Sequence, residues 1–232
     1  GAISFTAINL GTSPITATIT VTPINSSLGA NCSGISKSFT ILVNPSAKVN
    51  PISDLFLCDG EVAPVITFST TNTVGTTTYS WTNSNNTIGF GDSGTGSIPS
   101  FTANNPTNAP ITSTITVTPS YTNNGVTCDG LPITFYITVN PPAQVEAISN
   151  DVVCHTQQVT TTFSTLNTSG TTVYNWTNSN IAIGLAGTGT GNLSFTATNP
   201  STSPISGTIT VTPTYTANGI SCEGNPIIFT IT

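Results

Sequence analysis

The chain has 232 residues, with 2 Lys+Arg against 8 Asp+Glu and charge at only 4% of positions, whereas an ordinary soluble domain is about 25% charged. Two cations cannot form a basic surface, which excludes nucleic acid and anionic membrane surfaces as partners. The apolar runs are short and broken by Thr, Ser or Asn, far from the ~20 residues of a membrane-spanning helix.

Forty-eight residues are Thr, and Val, Ile, Phe and Tyr are also abundant. That mixture suits a half-buried β surface. Sixteen Pro and twenty Gly punctuate it, so the chain is read as all-β. Five Cys, no Met and a single His fit a disulfide framework from an oxidising compartment. Residue 1 falls inside a β pattern, so a longer parent protein is expected.

Internal repetition sets the architecture. Phe5-Thr6-Ala7 returns at Phe101 and Phe195, and Pro14-Ile15 at Pro110 and Pro204. The run Ile19 to Pro23 returns as Ile115 to Pro119 and Ile209 to Pro213, and Cys32, Cys128 and Cys222 each precede a Gly by two residues. A second set occurs twice: Cys58 and Cys154, Tyr79-x-Trp81 and Tyr174-x-Trp176, Ile88-Gly89 and Ile183-Gly184. The period of about 95 residues is one sandwich domain. Asn44-Pro45 and Asn140-Pro141 mark boundaries, because Pro stops a strand and stiffens a linker. The expected division is the C-terminal half of a first repeat (1–45), a second repeat (46–140) and a third (141–232). The half repeat cannot bury a core alone, so further chain is expected before it.

In chain order, the second repeat predicts a strand region over 47–57 broken at Pro51, then strands over 62–70 and 77–84. A short fourth strand follows around Thr87–Phe90, then the Gly-rich loop 91–96 and a fifth strand over 98–104. Ile111 to Thr118 alternates apolar residues with Thr at period two. Asn124-Gly125 forms a turn that tolerates positive φ, and a last strand covers 131–139. Seven strands with Trp on the third give an immunoglobulin-like sandwich, arranged head to tail in tandem. Tyr79, Trp81, Tyr174 and Trp176 are expected between the sheets as core aromatics.

The Tyr-x-Trp strand, the Cys before the second strand and the closing Phe-x-Ile-Thr-Val-Asn-Pro resemble the PKD-like repeats of giant secreted Bacteroidota surface adhesins. The SprB type of gliding-motility adhesin is similar. The departure is that Trp81 and Trp176 precede Thr-Asn rather than the acidic Gly-Asp-Gly of the PKD pattern. The resemblance implies a secreted, bacterial cell-surface location and a structural or adhesive role in gliding motility or attachment. It implies as partners neighbouring repeats, other adhesin or filament chains and surface glycans. The alternative is a spacer or carbohydrate-binding module of a secreted polysaccharide-degrading enzyme, which would present Tyr121 and Tyr215 as an exposed platform.

No catalytic constellation is visible. His155 stands where the preceding repeat has Asp59, which reads as a surface turn residue, and no nucleophile-elbow motif occurs. Asp54, Asp59, Glu61 and Asp92 form a conceivable calcium set, but the third repeat keeps only Asp151 there, so neither metal nor cofactor is expected. Sequons such as Asn85-Asn86-Thr87 match the glycosylation pattern and are expected by chance in so much Asn and Thr.

All five cysteines are expected to be oxidised in the native polymer, and three connectivities stay open. Pairing within repeats would join Cys58 to Cys128 and Cys154 to Cys222, the ordinary arrangement in secreted domains, and would give Cys32 a partner upstream. Pairing across boundaries would join Cys32 to Cys58 and Cys128 to Cys154. A junction staple would join Cys58 to Cys222. Sandwich geometry opposes the first, because Cys58 and Cys128 should lie at opposite ends of a domain about 25–30 Å long, beyond the Cα separation of about 4.4–6.8 Å that a disulfide tolerates.

Overall fold

The computed structural model describes residues 2–232. It is all-β, apart from two single turns of 3-10 helix. The first unit has β1 (Ile15–Val21), β2 (Ile24–Ser27), β3 (Ala30–Ser33) and β4 (Lys37–Val43). β1 and β4 pair antiparallel with Ile19 opposite Phe39, and β2–β3 is a hairpin.

The middle sandwich contains β5 (Leu55–Cys58), β6 (Val62–Ala63), β7 (Thr76–Asn83), β8 (Ser93–Thr95), β9 (Phe101–Thr102), β10 (Ile111–Asn123), β11 (Val126–Asp129) and β12 (Ile133–Asn140). Its large sheet runs β5-β12-β10-β7-β8, with β11 also on β10, and β6 pairs with β9 in the second layer. The last sandwich repeats this plan with β13 (Gln158–Thr161), β14 (Thr171–Asn178), β15 (Thr188–Thr190), β16 (Leu193–Thr196), β17 (Gly207–Ala217), β18 (Ile220–Glu223) and β19 (Ile227–Ile231). There β15-β14-β17-β18, with β19 on β17, faces β13-β16.

Period-two patterning explains the layers. Along β10, Ser113, Ile115, Val117, Pro119 and Tyr121 point inward and are buried, while the intervening Thr and Ser are not. Phe135, Ile137 and Val139 of β12 and Trp81 of β7 join this side, and Ala63, Ile98, Phe101 and Ala103 close it from the other layer. Val159, Phe163, Tyr174, Trp176, Ile209, Val211, Phe229 and Ile231 are the matching core of the last sandwich. Each such large apolar side chain contributes about 1.5–3 kcal/mol. Tyr79 is partly buried against the middle core, tilted against Phe68.

Val21 and Phe39 are 49% and 48% exposed, whereas their equivalents Val117 and Phe135 are 0% and 1% exposed.

Four expected strands are changed: the fifth shrinks to Phe101–Thr102, and the Gly-rich loop 91–96 itself contains the strand Ser93–Thr95. The second shrinks to Val62–Ala63 with a lone bridge from Ile66 to Ile98, and the first to Leu55–Cys58. Thr87–Phe90 is not a strand: Asn86–Ile88 is a 3-10 turn, because the Asn85 side chain accepts from Thr87 N and Gly89 takes a left-handed conformation. An Asx cap offers the backbone a local partner that competes with a sheet ladder. A Cβ on Gly89 would lie 2.0 Å from the Thr102 carbonyl oxygen, so only glycine fits.

The Asn that follows Trp-Thr secures this turn from beneath. Asn83 is buried, donates to the Phe90 and Gly91 carbonyls, and accepts from Asn85 N and the Ser113 hydroxyl. Asn178 holds the matching turn by donating to the Leu185 and Asn180 carbonyls and accepting from Asn180 N. The Trp rings themselves lie on glycine: Cβ atoms on Gly94 and Gly189 would sit 2.4 and 2.2 Å from Trp81 and Trp176.

The two Trp residues differ in one bond. Trp176 Nε1 donates to the Gly191 carbonyl at 3.1 Å, whereas the buried Trp81 Nε1 has no partner. Trp81→Phe therefore removes an unpaired donor, and Trp176→Phe removes a satisfied one. The second should cost about 1 kcal/mol more than the first, read from denaturant midpoints; equal losses would contradict this assignment.

Candidate functional site at the repeat junction

Val117 of β10 pairs with Ile133 of β12, but three residues later Ser120 pairs with Asp129 of β11. Pro119 stands between the two pairings, where β10 changes partner on that edge and needs no ladder donor. Its carbonyl accepts from Gly130 N at 3.0 Å, as Pro213 does from Gly224 and Pro23 from Gly34. Beyond the proline, β10 and β11 continue as a hairpin that turns at Asn124 and Gly125, both with positive φ.

That hairpin reaches the preceding unit. In the last sandwich it carries Cys222, whose sulfur is bonded to Cys58 with Cα atoms 5.6 Å apart. Cys58 ends β5 opposite Asn140 of β12. The fully buried Asn140 donates to the Ala217 carbonyl at 2.8 Å and accepts from Asn218 Nδ2 at 3.2 Å. Thr168 N donates to the Asn108 carbonyl, a backbone bond between the two sandwiches.

The glycine two residues after each hairpin cysteine has its reason here. A Cβ on Gly224 would stand 1.8 Å from the Ala143 carbonyl oxygen, and one on Gly130 would stand 2.0 Å from that of Ala47. The linker backbone therefore lies directly on the hairpin. Asn167 holds the same linker, accepting from Gln144 N and donating to the Pro142 carbonyl, as Asn72 does with Lys48 and Ser46. This Asn clamp recurs in both repeats, yet in a chain so rich in Asn nothing in the sequence marks it.

Among the open disulfide pairings, the structure contains the junction staple and neither within-repeat bond. Cys128 is half-buried, Cys32 and Cys154 are exposed, and none of the three has a disulfide partner among the described residues. Each within-repeat pair is held at opposite ends of its sandwich, one cysteine at the end nearest the following unit and the other on the hairpin that points back.

Three of the four acids in the conceivable calcium set serve the backbone. Asp54, Asp59 and Glu61 accept from Tyr136 N, Asn105 N and Cys58 N respectively. No group of three or more His, Cys, Asp or Glu side chains converges among the described residues. His155 replaces Asp59 in kind: its Nδ1 accepts from Asn199 N at 3.1 Å, the equivalent of the Asp59–Asn105 bond. Tyr121 and Tyr215 do not form an exposed platform; they are 1% and 0% exposed. Their hydroxyls donate to the Thr73 and Thr168 carbonyls, and burial pushes the Tyr215 phenol above its ordinary pKa. No helix is long and apolar enough to cross a membrane among the described residues.

No family model matches the chain, and no curated protein does. Among solved structures, it is similar to one described as zebrafish RET cadherin-like domains 1 to 4, with 13% identity and a TM-score of 0.25. The match covers 94% of this chain and 57% of that one.

Two variants test the junction. Cys222→Ser should leave both sandwiches folded while widening the distribution of angles between them, seen as a larger and more variable radius of gyration in solution scattering. An unchanged profile would show that the polar clasp alone fixes the joint. His155→Ala should lower stability by about 1 kcal/mol and His155→Asp should not; equal losses would remove the assigned bond.

Proposed function

We propose that this chain is a segment of an extracellular stalk or filament, built from tandem sandwiches within a long cell-surface adhesin that serves gliding motility or attachment. The observation that carries the reading is the covalent junction between Cys58 and Cys222, set among hydrogen bonds between successive units. A flexible linker would leave neighbouring domains free to reorient. Here the linker is clamped by Asn167, the hairpin leans on Asn140, and a disulfide crosses the joint. That construction suits a rod.

The bond also supports an oxidising, extracellular setting, because cytosolic thiols are kept reduced. The near absence of charge fits a partner that is a neighbouring repeat, another filament chain or a glycan. Asp54, Asp59, Glu61 and His155 each accept from a backbone N–H, which supports a structural rather than an enzymatic reading. Electron microscopy of the native parent protein should show a thin fibre whose repeat equals one domain length. A compact particle would overturn the proposal.

A further inference from the structure

We propose that Asn218, in the hairpin turn Asn218-Gly219, is a self-modification site gated by the joint between the two sandwiches. Its side-chain amide cyclises onto the Gly219 nitrogen while the joint is open, and the acid that results cannot close the clasp again. The joint thereby keeps a covalent record of having opened. This behaviour belongs to the joint itself and goes beyond the stalk reading.

Asn-Gly occurs twice in the chain, at 124–125 and 218–219. Each pair is the two-residue turn of its hairpin, between Asn123 and Val126 and between Ala217 and Ile220. All four residues have positive φ, which Asn and Gly tolerate. Gly carries no side chain, so its nitrogen is open to attack by the preceding Asn. The two turns differ in what holds the Asn. Asn218 Nδ2 donates to Asn140 Oδ1 at 3.2 Å. Asn140 is itself fixed, fully buried with its own Nδ2 on the Ala217 carbonyl. In the middle hairpin Asn123, not Asn124, donates to the corresponding Asn44. The same dipeptide in the same turn stands once inside the clasp and once outside it.

The Gly219 nitrogen attacks Cγ of Asn218. A bond forms from Cγ to the backbone nitrogen, the bond from Cγ to Nδ2 breaks, and ammonia leaves with the proton that Gly219 N gives up. Asn218 and Gly219 are exposed, so water reaches the cyclic imide and opens it at either carbonyl, giving aspartate or isoaspartate. The attack needs Cγ to swing onto Gly219 N, which the bond to Asn140 resists. Either product has lost the Nδ2 donor, and a carboxylate, which only accepts, then faces Asn140 Oδ1. The added charge falls where acids already stand. Asp59 N donates to the Asn140 carbonyl, Glu61 accepts from Cys58 N, and Glu223 lies on the hairpin itself. The two sandwiches hold a single cation, Lys48, in the linker that lies on the other hairpin. Unpaired like charges disfavour the closed joint. Isoaspartate also lengthens the backbone of the turn, against the register that sets Cys222 opposite Tyr215.

The test holds the whole chain in mildly alkaline buffer and follows Asn218 and Asn124 by peptide mapping and mass spectrometry, with Asn124 as the internal reference. In the folded chain Asn218 should convert about fivefold more slowly than Asn124, the factor that one ordinary hydrogen bond sets on a rate. In denaturant the two should convert alike. Asn140→Ala removes the acceptor and should bring Asn218 to the rate of Asn124 in the folded chain. Should that variant not fold, the comparison of folded with denatured parent chain still decides. Asn218→Asp, which installs the product directly, should widen the distribution of angles between the sandwiches in solution scattering. Equal rates in the folded chain, or the same ratio folded and denatured, would overturn the proposal. So would an Asn218→Asp chain whose scattering matches that of the parent.

Discussion

Strand β10 runs from Ile111 to Asn123, and only its first half is needed to line the core against β12. The second half keeps β7 on one side and takes β11 in place of β12 on the other. Every feature of the joint depends on that exchange of partner. Without a residue lacking a ladder donor at position 119, β10 would have no clean place to change partner. Without Gly130 and Gly224, the linker could not lie against the hairpin. The buried Tyr121 and Tyr215 fill the hairpin's inner face, and Tyr215 packs with Ala143 of the linker. The hairpin is thus a rigid arm with its own small core, not a loop that happens to touch its neighbour.

Much of this was legible in the residues. Alternation of Thr with Ile and Val gave the faces of β10 and β17, and the recurring Ile-Thr-Val-Thr-Pro and Cys-x-Gly marked the arm before its direction was known. Trp81 and Trp176 lie in the cores, as a Trp on a third strand suggests. Other features were hidden for physical reasons. Thr87–Phe90 has β-favouring composition, but Asn85 and Gly89 impose a local turn whose hydrogen bonds compete with pairing. The role of Asn83 and Asn178 was masked because they look like two more polar residues on a Thr-rich strand. They sit instead beneath the loop, with their amides on its carbonyls. Disulfide pairing depends on which ends of successive domains meet, and spacing along the chain does not encode that.

The scarcity of charge also shapes how the sheets hold together. Cross-strand contacts on exposed faces are made by hydroxyl pairs such as Thr20 with Ser38, Thr122 with Thr127 and Thr216 with Ser221. Such pairs add a few tenths to about 1 kcal/mol each. Unlike ion pairs, they are not weakened by the screening that dissolved salt imposes. Their strength is set by geometry rather than by the ionic medium.

The bond from Cys58 to Cys222 closes a loop of 164 residues in sequence separation. A pull applied along the chain enters the middle repeat near Ala47, reaches Cys58 and can cross directly to Cys222, ten residues from Thr232. Most of two sandwiches lies off this covalent route. Stretched out, the bypassed segment would span about 540–590 Å at ~3.3–3.6 Å per residue. With the bond intact that contour length is unavailable to a pulling force, and neither hydrophobic core has to yield for the tension to pass.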